Sequence, residues 1–153
     1  MTVDVSTAIE MDVPRDTVAE YATDPDNATI WYENIKAVTW QTSKPLALGS
    51  RFAFVAQFLG RRLAYTYEVK EWVPGQRFVM ATTQGPFPME TTYQWDDSPA
   101  GGTRMTIRNR GEPSGFSKVA APMMSRAMRR ANNKDLQRLK AILESNTPRS
   151  AAD

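Results

Sequence analysis

The stretch AAPMMSRAMRRANNKDLQRLKAIL, residues 120–143, predicts a long amphipathic helix whose inward face changes character along its length. With residues placed about 100° apart around the axis, the second half presents an apolar stripe formed by Leu136, Leu139, Ile142 and Leu143. In the first half the same face is soft or polar and holds Ala121, Met124, Ser125, Met128 and Asn132. This change indicates that only the C-terminal half of the helix packs in an ordinary apolar core.

The helix is expected over about residues 116–145. Pro122 lies in its first turns, so the helix either begins near Ala121 or kinks there. Its outer face is basic and carries Arg126, Arg129, Arg130, Lys134, Arg138 and Lys140. A solvated surface is the simpler interpretation of this face, and contact with anionic lipid or RNA is the alternative. The polar segment 147–153 is expected to be a flexible tail.

Upstream of the helix, turn signals separate a series of short segments with strand-like alternation. The predicted strands are residues 3–12, 35–42, 50–59, 61–72, 76–84, 88–96 and 103–111. A short helix is expected after Pro14, and NATIWYENI (27–35) is expected to form a second short helix or a turn. The turns from Gly49 onwards are too closely spaced for crossover helices, which predicts one antiparallel meander.

Length and composition suit a single domain, assigned to residues 1–146. The chain has 153 residues, of which 41% are hydrophobic and 24% charged, values ordinary for a soluble globular protein. It contains no cysteine and no histidine, which excludes disulfides, thiolate chemistry, and the usual general base and zinc ligand. We expect no metal site and no cofactor, because glycine-rich phosphate loops and dinucleotide fingerprints are absent.

Charge and hydropathy bound the location and the partners. There is no apolar run of about 18 residues and no signal-peptide pattern at the N-terminus, so we expect a cytoplasmic, bacterial protein without a transmembrane segment. The formal net charge is only +2, so no nucleic acid partner is expected. The protein is expected to be a monomer or a homodimer.

The order of elements, with five local motifs, resembles the helix-grip fold of the START-like (SRPBCC) superfamily, in its bacterial polyketide cyclase/dehydrase-like branch. The motifs are DPDNATIWYENI (24–35), LGSRF (48–52), VKEWVPGQRFVM (69–80), GGTRMTI (101–107) and DLQRLKAILES (135–145). The resemblance implies an α+β fold: a curved seven-stranded antiparallel sheet, two short helices and a long C-terminal helix over a cavity. It also places Trp31 and Tyr32 at the mouth of that cavity.

One concave face of the predicted strands carries aromatic, methionine and hydroxyl side chains that suit a flat or apolar ligand. Together with the helix they give the candidate ligand-binding residues: Trp31, Phe54, Tyr65, Tyr67, Met80, Thr82, Met89, Thr91, Tyr93, Ile107, Asn109, Met124, Met128 and Asn132. The alternative is that most of these positions simply form the core beneath the helix. Trp31, in particular, is equally compatible with packing against the short helices.

Asn132 is the most informative of these positions. A buried amide without a partner costs about 1–3 kcal/mol, so Asn132 is expected to bond protein, water or a ligand. With Ser125, it is expected to line a partly wet cavity, in which methionines adapt to the shape of a ligand. A dry, empty pocket of about 300 Å³ would cost on the order of 7 kcal/mol, which also favours an occupied or hydrated cavity. The alternative is an Asn132 bonded to a neighbouring strand.

The acidic residues give no catalytic pair. Glu68 and Glu90 alternate against the apolar positions of their strands, whereas Glu71 shares the parity of Val69. Solvated faces are the simplest interpretation of all three, and the catalytic residues are unknown.

Three functions remain open. The leading hypothesis is binding of a small hydrophobic ligand (lipid, isoprenoid or aromatic polyketide-like) between the sheet and the C-terminal helix. The alternative is a polyketide cyclase/dehydratase-type enzyme that uses the same cavity, with confinement and orientation doing much of the catalysis. The third is a macromolecular adaptor that uses the basic helix face.

Overall fold

The computed structural model describes residues 2–113 and 120–146. The strands are β1 (Val3–Met11), β2 (Ile35–Trp40), β3 (Arg51–Phe58), β4 (Arg61–Val73), β5 (Arg77–Gln84), β6 (Met89–Asp97) and β7 (Thr103–Gly111). The helices are α1 (Arg15–Thr23), α2 (Ala28–Trp31) and α3 (Ala121–Asn146), with one 3₁₀ turn at Pro25–Asn27. The predicted order of one strand, two short helices, six strands and a long helix is confirmed.

All seven strands form one antiparallel sheet in the order β1-β7-β6-β5-β4-β3-β2. Strands β2 to β7 follow one another as a meander, and β1 returns to pair with β7 along its whole length, from Val3 opposite Gly111 to Met11 opposite Thr103. The long helix α3 crosses one face of this sheet, where it packs on β1 and on α2.

Helix α3 begins at Ala121, so the first of the two alternatives for Pro122 is confirmed. Pro122 occupies the first turn, where the missing N–H removes no helical hydrogen bond. The earlier start expected near residue 116 and the tail 147–153 lie outside the described residues.

The apolar interior consists of two clusters, and α3 contributes to both. Its C-terminal half places Leu136, Leu139 and Leu143 in the larger cluster, together with buried aromatic side chains of the sheet and Trp31 of α2. Its N-terminal half contributes residues to a smaller cluster, which consists of Val3, Val5, Leu63, Met124 and Met128. The expected division of the helix into a leucine half and a methionine half therefore corresponds to two separate packing sites.

A bulge in β4 corrects the predicted orientation of Glu71. The register between β4 and β5 shifts between Val69 and Glu71, so the two side chains no longer point to the same face. Glu71 is exposed and forms an ion pair with Arg77 at 3.2 Å, whereas Trp72 turns inward against Phe78. The expectation that Glu71 is solvated is confirmed. The cause is the bulge, because simple alternation would have placed Glu71 on the same face as the buried Val69.

The turn between β3 and β4 has an unusual residue at its tip. It contains only Leu59 and Gly60, and both have positive φ values, of 49° and 77°. Such two-residue turns favour asparagine or glycine, because a longer side chain in the left-handed region crowds the backbone. Leu59 is nevertheless half exposed, so it gains little from burial in return.

We expect Leu59→Asn to stabilise the fold by about 0.5–1 kcal/mol, since asparagine tolerates the left-handed conformation better than leucine. Chemical denaturation monitored by circular dichroism measures the free energy of unfolding. Leu48→Asn is the matched control, because Leu48 is 68% exposed at the opposite end of β3 and has no positive φ. An equal change in both variants would show that backbone strain at Leu59 contributes nothing.

Candidate functional site

A cavity lies between the concave face of the sheet and α3, at the junction of the two apolar clusters. It offers about 160 Å³ to the centres of water-sized molecules. Strands β3 to β7, the segment around α2 and the inward face of α3 form its walls. Its lining is largely apolar. Polar members lie on β6, β7 and α3 (Thr91, Tyr93, Asn109, Asn132 and Asp135), and others lie on β4, β5 and the segment around α2.

The structure brings all but two of the predicted ligand-binding residues to this cavity. The lining includes Phe54, Tyr65, Tyr67, Met80, Thr82, Met89, Thr91, Tyr93, Asn109, Met124, Met128 and Asn132. Whether these residues bind a ligand stays a prediction, but their convergence on one space is a property of the fold.

Trp31 and Ile107 do not line the cavity, which corrects their predicted placement. Both side chains are fully buried in the larger cluster. The Trp31 ring lies against Tyr32, with centroids 4.1 Å apart, and it is Tyr32 that reaches the cavity. Ser125 is half buried and is likewise absent from the lining.

A chain of hydrogen bonds crosses the floor of the cavity from β4 to β7. Thr91 donates its hydroxyl proton to Asn109 Oδ1 at 2.7 Å. Because a hydroxyl has only one proton, Thr91 must accept the bond from the Tyr67 phenol, which lies 2.9 Å away. Burial raises the pKa of Tyr67 to about 12, so the phenol remains a neutral donor at physiological pH.

A second pair of phenols joins α2 to the sheet. The hydroxyl oxygens of Tyr32 and Tyr93 lie 2.5 Å apart, so one phenol donates to the other. Burial raises the pKa of both groups well above the usual value for tyrosine. One of the two phenol protons is not needed for this bond and can serve a group in the cavity.

Asp135 is a buried carboxyl group in the cavity wall that the sequence analysis did not select. It is 2% exposed, and its Oδ1 accepts a hydrogen bond from the backbone N–H of Glu33 at 3.0 Å. Burial raises its pKa to about 6; the Glu33 hydrogen bond and the Arg138 charge oppose this shift. A signal was present in the sequence, because Asp135 lies only about 20° around the helix from Met128.

Asn132, one turn before Asp135, is 6% exposed, and its Nδ2 has no hydrogen-bond partner in the described part of the chain. The sequence analysis left open that Asn132 bonds to a neighbouring strand; the Nδ2 group makes no such bond. Asn132 is also one of the residues that line the cavity.

The described lining contains no lysine or arginine. Its acidic members are Asp135 and Asp24, and Asp24 accepts a bond from the N–H of Asp26 at the start of the 3₁₀ turn. The cationic side chains of α3 lie on its outer face, where Arg126, Arg129, Arg130, Lys134 and Arg138 are exposed and Lys140 is half buried. Asp135 is the more deeply buried of the two acids.

The other acidic residues considered from the sequence face solvent. Glu68 pairs with Lys70 at 2.5 Å, and Glu90 pairs with Arg110 at 2.7 Å. No group of acidic side chains within residues 2–113 and 120–146 is arranged to hold a metal ion. No helix in the same ranges is long and apolar enough to span a membrane.

The sheet, its covering helix and the cavity between them define a helix-grip protein of the START-like class. Residues 2–144 match the model of the family described as polyketide cyclase / dehydrase and lipid transport, and the chain belongs to this family. The resemblance stated from the sequence motifs is thereby confirmed. No curated protein sequence matches the chain.

Solved structures confirm the fold. A START superfamily protein from Mycobacterium smegmatis is 16% identical, with a TM-score of 0.79 over 94% of this chain and 99% of its own. The Zhui aromatase/cyclase from Streptomyces sp. R1128 is 14% identical, with a TM-score of 0.78 over 99% and 98% of the two chains. The major latex-like protein 151 of Panax ginseng is 13% identical, with a TM-score of 0.74 over 93% and 97%. At these identities the similarity establishes architecture alone.

The raised pKa of Asp135 predicts that this residue destabilises the fold as the pH rises. The folded state keeps the proton up to about pH 6, whereas the unfolded state loses it near 3.8, so stability falls between these values. The loss amounts to roughly 2–3 kcal/mol at neutral pH, at 1.36 kcal/mol per pKa unit. We expect Asp135→Asn to remove this loss, since the amide oxygen can still accept from Glu33.

Urea denaturation of both proteins between pH 4 and pH 7.5 measures this effect. The difference between wild type and variant isolates Asp135 from other carboxyl groups, such as Asp4 and Asp26, whose pKa values are lowered by cationic partners. A difference in unfolding free energy that does not change with pH would contradict the raised pKa.

Proposed function

We propose that the chain binds a small, largely apolar ligand in the cavity between the sheet and α3. The observation that carries this proposal is the cavity itself. Its lining is mostly apolar and includes a smaller number of polar groups, as is typical of small-molecule sites. The family supports the proposal, because its description includes lipid transport as well as cyclase and dehydrase activity.

The volume favours a compact ligand. A cavity of about 150 Å³ is large enough for benzene, whereas drug-sized ligands occupy about 300 Å³ or more. At about 160 Å³, the present cavity suits one aromatic ring, or two if the second reaches the mouth. Among the predicted ligand classes, an aromatic polyketide-like molecule therefore fits best, and a lipid or isoprenoid would require α3 or the neighbouring turns to move.

The cavity is more stable filled than empty. Left dry and vacant, it would cost on the order of 4 kcal/mol, at about 24 cal/mol per Å³. Asn132 and the Tyr67–Thr91–Asn109 chain allow water to occupy it between binding events. A ligand that replaces this water with an apolar ring and keeps the polar contacts gains affinity.

Filling the cavity with a side chain should abolish binding. Ala131 lines the cavity from α3 and is half buried, so we expect Ala131→Phe to occupy the space with little change in stability. Ala141→Phe is the matched control, because Ala141 lies on the same helix but is exposed. Native mass spectrometry of protein purified from cells, together with a thermal-shift panel of apolar ring compounds, measures binding.

We expect retained mass and thermal shifts in the wild type and in the control, and at least a 10-fold loss of affinity in Ala131→Phe, because the bulky ring excludes the ligand. Equal binding by all three proteins would place the ligand elsewhere. No retained mass and no shift across the whole panel would refute the proposed function.

A second candidate function is an enzyme of the cyclase/dehydratase type, and Asp135 is the observation that favours it. A carboxyl group with a pKa of about 6 can accept a proton at neutral pH from a carbon next to a carbonyl group. In the Tyr32–Tyr93 pair one phenol proton is used in the bond between them, and the other phenol can donate its proton to the enolate oxygen that forms. Two proteins of similar fold, the Zhui aromatase/cyclase and the di-domain ARO/CYC StfQ from the steffimycin biosynthetic pathway, are compatible with this role.

This candidate predicts different effects on binding and turnover. With a poly-β-carbonyl substrate analogue, Asp135→Asn should lower kcat by about 10²-fold or more and leave KM within a few-fold, because the general base is lost but the shape is kept. Chromatography of the products against time measures turnover, and Asp96→Asn, at an exposed position outside the cavity, serves as the control. Unchanged kcat in Asp135→Asn would exclude Asp135 as the base.

A further inference from the structure

We infer that the ligand presents a hydroxyl group, held between Asn132 and Asp135 of α3. The inference deepens the proposed function, on which it rests, by naming the polar group that these two side chains would recognise. Both residues line the cavity, and each is more than nine-tenths buried.

The spacing of the two residues allows a single oxygen atom to contact both. Residues three apart on a helix project from the same face, with Cβ atoms about 5–6 Å apart. The Nδ2 group of Asn132 is a buried donor with no partner in the described chain. Asp135 uses Oδ1 for the Glu33 N–H, which leaves capacity on a carboxylate that has two acceptor oxygens. The pair therefore offers one donor and one acceptor to the same point in space.

Only a group that both donates and accepts satisfies this pair. A hydroxyl donates its proton to the Asp135 carboxylate and accepts from Asn132 Nδ2 through a lone pair. A carbonyl accepts but cannot donate, and an ammonium donates but cannot accept. A carboxylate ligand lacks a proton to donate and repels Asp135, and the described lining contains no cationic side chain to offset that repulsion. Each mismatch leaves a buried polar group unpaired.

The rest of the cavity suits the body of an aromatic alcohol or phenol. Phe54 and Tyr65 form one wall, with ring centroids 5.8 Å apart, and Met80 and Met128 contribute adaptable apolar surface. A ring packed against these side chains could direct its hydroxyl towards the polar turn of α3. The structure thus favours a neutral, hydroxyl-bearing ring compound over a fatty acid or a phosphate ester.

Four naphthalene derivatives of one size test the inference: 2-naphthol, 2-methylnaphthalene, 2-naphthaldehyde and 2-naphthoate. They differ only in the substituent at position 2, which is a hydroxyl, a methyl, an aldehyde or a carboxylate. Differences in affinity therefore report on how Asn132 and Asp135 recognise that substituent. Isothermal titration of the full chain at pH 7.5, where Asp135 is largely ionised, is the measurement. We expect 2-naphthol to bind about 10-fold more tightly than 2-methylnaphthalene, and 2-naphthoate to bind weakest.

Two variants separate recognition from a general structural effect. In Asp135→Asn the acceptor becomes an amide that also donates, so the preference should shift from 2-naphthol towards 2-naphthaldehyde. Asn132→Leu should lower the affinity for 2-naphthol about 10-fold and leave that for 2-methylnaphthalene nearly unchanged. Asn133→Leu, at the neighbouring exposed position of α3 outside the cavity lining, is the matched control and should keep the wild-type order of the four probes.

The outcomes are distinct. Equal affinity of the wild type for 2-naphthol and 2-methylnaphthalene would overturn the inference and leave the proposed function intact. Binding of none of the four probes would refute both. The order of affinities in the wild type does not depend on any variant, so it tests the inference even if Asp135→Asn or Asn132→Leu fails to fold. An order that is the same in wild type and both variants would also overturn it.

Discussion

The packing of α3 against two separate apolar clusters is the constraint on which the rest of the structure depends. Three leucines hold its C-terminal half to the larger cluster, and Met124 and Met128 hold its N-terminal half to the smaller one. Between these contacts the helix is continuous over Ala121–Asn146, so it bridges the concave sheet instead of following it. The cavity lies where the helix spans the concave face of the sheet, and Ala131, Asn132 and Asp135 line it from the helix.

The same arrangement separates charge across the helix. Its outer face is strongly basic, whereas its cavity side carries a single carboxyl group, that of Asp135, and faces neutral phenols of the sheet and of Tyr32. The chain has no histidine, and burial raises the pKa values of the cavity tyrosines above the usual tyrosine value, whereas the pKa of Asp135 is raised to about 6 and so lies near physiological pH. Ligand recognition and the candidate catalysis therefore both depend on Asp135, and this is why the two functions require separate measurements of binding and turnover.

Local patterns were sufficient for the fold and for most of the cavity lining, because strand alternation and helix periodicity directly determine which side chains face inward. These patterns do not predict which of two adjacent residues faces the cavity when long-range packing decides it. Trp31 and Tyr32 differ by one position, and only the docking of α2 buries the first and directs the second to the cavity. The helix pattern does not select Asp135 for a related reason, since carboxylates are rarely buried and only the packing of α3 against the Glu33 N–H shows that this one is.

Asp135 is also a position where the sequence departs from what stability alone would favour. A leucine there would extend the apolar stripe between Met128 and Leu139, whereas the buried carboxylate costs roughly 2–3 kcal/mol at neutral pH. That cost is a substantial fraction of the 5–15 kcal/mol by which domains are stable. Asn132 adds a second departure, a buried donor without a partner, one turn away. The buried carboxyl group and the unpaired donor both belong to residues that line the same cavity. One ligand group that bonds to both explains them together, whereas two unrelated packing faults would have to coincide.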